Sequence, residues 1–301
     1  MRYILIEAFT LIVLGMLSRL LGLVDEKDDR IIAKLVFNVT LPFLVFLAMF
    51  NQHPVYVYLK ITILVWVLLG LFTAATYYLA KGVIKDPKRL GVFVMTCVGG
   101  NTAFLGYAVI QGLVGSRGMP AAVIYDQFGN GIFIYTVLLL LMSYLGNKSL
   151  GPRALLSGVL TPPFIALIVG LLFPASVHMP ASIMKAFELV GGVTTPLMML
   201  IVGMNLTRSL ELSSVPLLGV VSVVKLAIVP AAMYLLAAVV RMPAFPLKIT
   251  VLQAAMPSMM TSVIFAQIYD LDEPLAAQLV VATTLISFFT LPFIWTLLRH
   301  G

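Results

Sequence analysis

Charge is scarce in this sequence. Its 301 residues hold 19 Lys and Arg and 12 Asp and Glu, so 10% are charged, against about 25% in a typical soluble domain. Apolar residues make up 61%, more than one core can hide from water. A soluble enzyme, a disordered chain and a nucleic-acid binder are excluded on this ground. Cysteine is nearly absent too: Cys97 stands alone in an apolar run, so no intrachain disulfide is available. The three histidines, His53, His178 and His300, are scattered and none belongs to an H-E-x-x-H pattern. No paired acid–base set or metal cluster is legible, and the chain is not expected to be an enzyme.

What remains is a series of long apolar runs. A membrane-spanning helix needs about 20 such residues, and ten runs qualify: Tyr3–Leu23, Ile31–Phe50, Val55–Ala80, Leu90–Val114, Pro120–Leu145, Ala154–Phe173, Ile183–Leu206, Val215–Val240, Phe245–Tyr269 and Pro274–Leu298. The runs are apolar on all sides, which fits helices and not the alternating strands of a barrel. The expected fold is therefore all-α and polytopic. The N-terminal run follows a single basic residue and leads into Ser18-Arg19-Leu20, so a cleaved signal peptide is not expected.

Basic residues set the orientation. One side carries Arg2, Lys60, Arg117, Lys185, Arg241, Lys248 and Arg299. The other is richer, with Arg19, Lys27, Arg30, Lys34, Lys81, Lys85, Lys88 and Arg89 clustered in its first two loops. The richer side is expected in the cytoplasm, which leaves both termini extracytoplasmic in a multi-pass protein of the cell membrane.

The two halves repeat. Val39-Thr40-Leu41-Pro42 matches Val193-Thr194-Thr195-Pro196 at an offset of 154 residues, and Pro120-Ala121-Ala122 faces Pro274-Leu275-Ala276 at the same offset. Five runs per half is an odd number, so the copies should be inverted, as in many secondary transporters. The expected division is 1–145 for the first five-helix repeat, 146–153 for a short cytoplasmic linker and 154–301 for the second repeat.

Interrupted spans in corresponding positions of two halves point to a transport site. The fourth run holds Gly99-Gly100-Asn101-Thr102 and the ninth holds Gln253-Ala254-Ala255-Met256-Pro257-Ser258, both near mid-membrane by helical rise. Half-helix N-termini at that depth can hold a carboxylate without a buried Arg or Lys. Gly100, Asn101, Thr102, Pro257 and Ser258 are the expected substrate-binding residues, with Gly99, Gly100, Pro257, Pro42 and Pro196 as helix breaks. Asn38, Thr40 and Thr195 are added as cavity-lining candidates.

Ionisable groups inside spans are functional candidates by default. Lys225 reads equally as an attractor of an anionic substrate, a partner of Asp126 or Glu7, or a structural lysine. Asp126, with Asn130 one turn later, reads as a proton carrier or a structural hydrogen-bonding group. Glu7 and Thr261 complete the coupling-ion candidates, the ion being H+ or Na+. No other cofactor is expected.

These motifs resemble a known family. Gly100-Asn101-Thr102-Ala103-Phe104-Leu105-Gly106 is similar to the fourth-span motif of the auxin efflux carriers. Gln253-Ala254-Ala255-Met256-Pro257, with Phe265-Ala266 and Tyr269, is similar to the ninth-span signature. Lys225 with Pro230-Ala231 and the Thr290-Leu291-Pro292 end of the last span fit as well. The resemblance implies ten helices in two inverted five-helix repeats, related to the bile-acid symporters, with helices four and nine crossing at the substrate site. It also implies Asn101 and Pro257 at the crossing. Gly100 stands where plant carriers have proline, no Asp or Glu occurs from Val55 to Ala80, and Ala108 stands where many relatives have proline. Gly146–Arg153 replaces the long plant loop. These departures point to a prokaryotic permease of the malate or malonate type. The expected activity is secondary transport of a small organic anion by alternating access, the alternative being a membrane-embedded sensor or channel of the same fold. The expected partners are that anion, the lipid bilayer and a second copy of the chain.

Overall fold

The computed structural model describes residues 2–50, 52, 56–173, 179–206 and 215–300, with the side chains of 2–9, Glu26 and His300 left out. Among the described residues the chain is helical, and the one β-type contact is an isolated bridge. Six helices are long and apolar enough to cross a membrane. They are α2 (Lys27–Met49), α3 (Tyr56–Ala80), α6 (Ser116–Leu145), α9 (Ala181–Asn205), α10 (Val215–Val239) and α13 (Glu273–His300). Shorter helices complete the chain: α1 (Arg2–Leu20), α4 (Pro87–Val98), α5 (Thr102–Val114), α7 (Pro152–Val159), α8 (Pro162–Leu172), α11 (Ala244–Ala254) and α12 (Thr261–Ile268).

The helix ends follow from local chemistry. Asp25 accepts from the Lys27 and Asp28 amides while Asp28 caps the Asp25 amide in return, a capping box that opens the helix of α2. Asp86 accepts from Lys88 N–H and Pro87 takes the first helical position, which opens α4. Gly115 closes α5 at φ 79°, a left-handed backbone that suits a residue without Cβ. Leu160 and Thr161 bend the sixth apolar run by 53° into α7 and α8, with the Thr161 hydroxyl capping Phe164.

Two helix groups pack around the middle of the molecule. In the first, α1 lies on α9 so closely that a Cβ on Gly203 would collide with the Ile12 carbonyl, and one on Gly15 with that of Leu200. Gly170 of α8 faces Phe46 and Met49 of α2, and Gly191 of α9 faces Leu44. Small residues permit such backbone approach where lipid supplies no hydrophobic drive between helices. The second group contains α3, α4, α5, α6 and α10 to α13. Outward faces carry exposed Leu59, Leu79, Leu235, Phe289 and Phe293, as lipid contact requires.

Two expected breaks are local irregularities that do not divide their spans. Pro42 sits in the first turn of an α-helical stretch that follows a widened π turn at Val36–Thr40, and α2 runs through it as one helix. Near Pro196 a single turn residue, Val193, interrupts the ladder between Ala181–Gly192 and Thr194–Asn205, but its φ of −74° and ψ of −12° keep both stretches in one span, α9. Each proline withholds an N–H from the carbonyl four residues earlier, that of Asn38 or Gly192, and the wide turn at Val36–Thr40 and the turn at Val193 absorb the loss without dividing the span.

Candidate functional site

The fourth and ninth apolar runs are both interrupted. α4 ends at Val98, Gly99 turns extended (φ −68°, ψ 123°), and α5 starts at Thr102. α11 ends at Ala254 and α12 starts at Thr261, with Pro257 between them. Proline has no N–H to continue a helix and pushes its predecessor out of the helical region. The two breaks lie against each other: Gly100 and Ser258 form an antiparallel bridge. Asn101 N–H donates to the Pro257 carbonyl at 2.8 Å, and Met259 N–H to the Gly99 carbonyl at 3.0 Å.

The broken helices run antiparallel along their length. Lys88 at the start of α4 bridges Asp270 after α12 at 2.7 Å. That hydrogen bond and the Lys88 charge hold the Asp270 carboxyl below its ordinary range. At the other end, Arg117 after α5 stacks over the Phe245 ring of α11 at 4.8 Å. Between these ends, Gly106 lies against the Gln253 side-chain amide, where a Cβ would collide with Oε1.

A polar network surrounds the break in an apolar interior. Asn130 Nδ2 donates to the Gly100 carbonyl at 3.2 Å and to Thr102 Oγ1 at 2.8 Å. Thr102 in turn donates to Asp126, which also accepts from Tyr107 at 2.7 Å and from Gln127 Nε2 at 2.6 Å. Three neutral donors thus converge on Asp126, an arrangement that suits a carboxylate. Thr102, Asp126 with Asn130, and Lys225 each lie in a π turn, at Thr102–Gly106, Tyr125–Gly131 and Val224–Ile228. Such turns free carbonyls from the helix ladder, and Trp66 Nε1 donates to the one at Phe128 at 2.9 Å.

Beside this network lies a cavity of about 90 Å³. Its wall includes Gly100, Asn101, Thr102, Asp126, Gln127 and Asn130 from the second helix group, with Met259, Thr261 and Phe265 from the region of the other break. Phe37, Gly158, Thr161 and Phe164 close it from α2, α7 and α8. One wall group has nothing to bond: Asn101 Nδ2 is buried without a hydrogen-bond partner, while its Oδ1 accepts from Leu105 N–H at 3.4 Å.

The expected site residues divide into three sets. Gly100, Asn101, Thr102, Asp126 and Thr261 line the cavity. Gly99, Pro257 and Ser258 are at the crossing but off its wall, and Ser258 Oγ is committed to the Thr96 carbonyl at 2.7 Å. The others lie away from it. Asn38 is exposed and donates to the Lys34 carbonyl at 2.8 Å, because its span turns that face outward. Thr40 is buried and Thr195 half-buried, neither on the wall. Lys225 is 2% exposed and sits behind the break at the Val98 carbonyl. Among the described residues it pairs with no carboxylate, so an Asp126 partnership is excluded: Asp126 takes neutral donors instead. The Glu7 side chain lies outside the described residues.

Sequence reasoning passed over Gln127, Thr161 and Phe164. The run Asp126-Gln127-Phe128-Gly129-Asn130-Gly131 is a polar, glycine-bearing island in an apolar helix, the signal that could have pointed to Gln127. No signal marked the bend at Thr161 beyond the adjacent Pro162 and Pro163.

Comparison with known proteins places the chain in a family. The family described as "Membrane transport protein" matches residues 4–295. An uncharacterized transporter of Methanothermobacter thermautotrophicus is 27% identical over 295 residues, covering 97% of this chain and 96% of its own. An uncharacterized transporter of Methanocaldococcus jannaschii is 24% identical over 289 residues, covering 92% of each. The chain belongs to the membrane transport protein family, that of the auxin efflux carriers, and is a multi-pass membrane protein.

Proposed function

We propose that this member of the membrane transport protein family is a secondary transporter that carries a small organic anion, a mono- or dicarboxylate, across the cell membrane by alternating access. The observation that carries the reading is Asn101. Its Nδ2 is buried on the cavity wall with no acceptor, and an unmade hydrogen bond at such a site costs roughly 1–3 kcal/mol. A substrate carboxylate supplies the missing acceptor. The N-terminal amides of α5 add the positive end of a helix dipole at the same place.

The cavity is lined by the break region of the second helix group and by Phe37 of α2 and Phe164 of α8 of the first. Movement of one group past the other would open it to either side in turn. In this reading the chain spans the bilayer ten times as two inverted repeats, 1–145 and 154–301, with the lysine-rich loops in the cytoplasm and both termini outside. Asp126, a carboxylate on the same wall, is the natural carrier of a co-transported proton, since its protonation would relieve repulsion of an incoming anion.

Uptake and counterflow of labelled malate or malonate in proteoliposomes test the proposal. Saturable uptake with counterflow is expected. Unsaturable conductance would replace the transporter with a channel, and binding without flux would replace it with a sensor.

A further inference from the structure

The mechanism above makes no use of Lys225, although it is among the largest fully buried side chains in the molecule. It stands in the π turn of α10 and reaches toward the C-terminal end of α4, with Nζ 3.5 Å from the Val98 carbonyl. Gly100 leaves room for it: a Cβ there would lie 3.2 Å from Nζ and 3.7 Å from Cε. Gly100 also has its carbonyl turned to Asn130 on the cavity side, so the backbone of the break stands between the lysine and the cavity. Lys225 is not on the cavity wall, which removes direct contact with a substrate held there.

Four carbonyls around the break receive neutral donors. Thr96 receives Ser258 Oγ, Gly99 receives Met259 N–H, Gly100 receives Asn130 Nδ2, and Asn101 receives Gly106 N–H. Val98 receives a cationic group instead. A helix C-terminus carries partial negative charge from its unpaired carbonyls. In a membrane interior water cannot neutralise that charge. A cation can, and half-helix C-termini in transporters are places where small cations are held.

We propose that the Lys225 ammonium is a tethered cation at the end of α4, filling a monovalent-cation site that would otherwise need an exchangeable ion. The break is then neutralised covalently, and no metal cation is required to hold it. Removing the side chain uncovers a site for Na+ or methylammonium. The consequence for flux rests on the transporter reading; the cation site does not.

The experiment uses the full-length purified protein in choline chloride, with NaCl or methylammonium chloride exchanged in. Wild type is expected to melt at the same temperature in all three salts. Lys225→Ala is expected to melt lower in choline and to regain roughly 4 °C with methylammonium or Na+ at saturating concentration. In proteoliposomes, wild-type uptake is expected to be equal in Na+ and choline, and Lys225→Ala uptake to require an added cation. Wild-type uptake that needs Na+ would overturn the proposal, as would a Lys225→Ala midpoint in choline equal to that of wild type, or a loss that neither cation restores. If Lys225→Ala does not fold, Lys225→Met and Lys225→Arg decide: the proposal stands if arginine keeps the midpoint and methionine lowers it, and falls if methionine matches wild type. Failure of every substrate to be transported would sink the transporter reading and leave the melting result intact.

Discussion

Asn101 donates its backbone N–H to the carbonyl of Pro257 at 2.8 Å, so each helix break is satisfied by the other. A broken helix in a membrane leaves amides and carbonyls that lipid cannot solvate. Here the orphan groups of the fourth run meet those of the ninth in a short antiparallel contact, and the asparagine side chain is left over to face the cavity. The crossing is at once the structural repair of two breaks and the source of the buried, unpaired donor at Asn101 on the wall.

That donor gives the first prediction. Asn101→Ala is expected to lower apparent affinity for a carboxylate substrate roughly 10- to 100-fold, since a hydrogen bond to a charged group contributes about 1.5–3 kcal/mol. Nδ2 has no partner to lose, but Oδ1 caps the Leu105 N–H, so the melting temperature of the free protein should fall by the worth of one helix cap, about 1 kcal/mol. Uptake kinetics and thermal melts on the same preparation check both halves, and unchanged uptake would sink the crossing as the substrate site.

Asp126→Asn keeps the shape of the side chain but turns one acceptor into a donor facing Thr102, Tyr107 and Gln127, which already donate. The expected cost is about 1–3 kcal/mol for a buried mismatch, seen as a lower melting temperature. Uptake driven by an imposed pH gradient should disappear, while counterflow of labelled substrate at equal pH persists. Retained gradient-driven uptake would remove Asp126 from coupling.

Gly106→Ala places a Cβ on the Gln253 amide. Gln253 is fully buried with Nε2 donating to the Ala122 carbonyl at 3.3 Å, so it has little room to yield. Overpacking of this kind costs roughly 1–3 kcal/mol. Gln253→Ala in the same chain should recover part of the loss, and a double-mutant cycle read by thermal melts measures the coupling. Additive effects would mean that the two residues do not meet.

The Lys88–Asp270 bridge predicts a pH effect with a definite sign. The Asp270 carboxyl is held below its ordinary range by Lys88. Its contribution is therefore present above the ordinary carboxylate pKa and lost as pH falls through the depressed folded value. Wild type and Asp270→Asn should differ most near neutral pH and converge in acid. High salt should shrink the difference, because both side chains are exposed.

Orientation can be read by labelling. Cys97 is the chain's only cysteine and is fully buried, so a cysteine introduced at Lys148 would be the one reactive thiol. An impermeant maleimide added to intact cells should leave it unlabelled, and inside-out vesicles should expose it. The reverse pattern would place the termini in the cytoplasm.

Much of this molecule was legible in its sequence because membrane immersion makes composition decisive. Apolar runs long enough to span, helix as their backbone state, and interruptions at Gly99-Gly100 and Pro257 all follow from local properties: side-chain polarity, the missing proline N–H and the helical rise. Asn101 and Thr102 were recognised for the same reason, as polar groups beside a break. Tertiary structure alone decided where side chains point. Ser258 reads as a ligand beside Pro257, yet its hydroxyl is spent on the Thr96 carbonyl of the opposing helix. Lys225 reads as a charge for a substrate, yet the backbone at Gly100 stands between it and the cavity. Pro42 and Pro196 read as breaks, yet the wide turn at Val36–Thr40 and the turn at Val193 take up the missing N–H and each span stays whole. In each case the outcome turned on a partner distant in sequence, or on the turn a residue occupied. A hydrogen bond across two helices depends on how they pack, which no local pattern encodes.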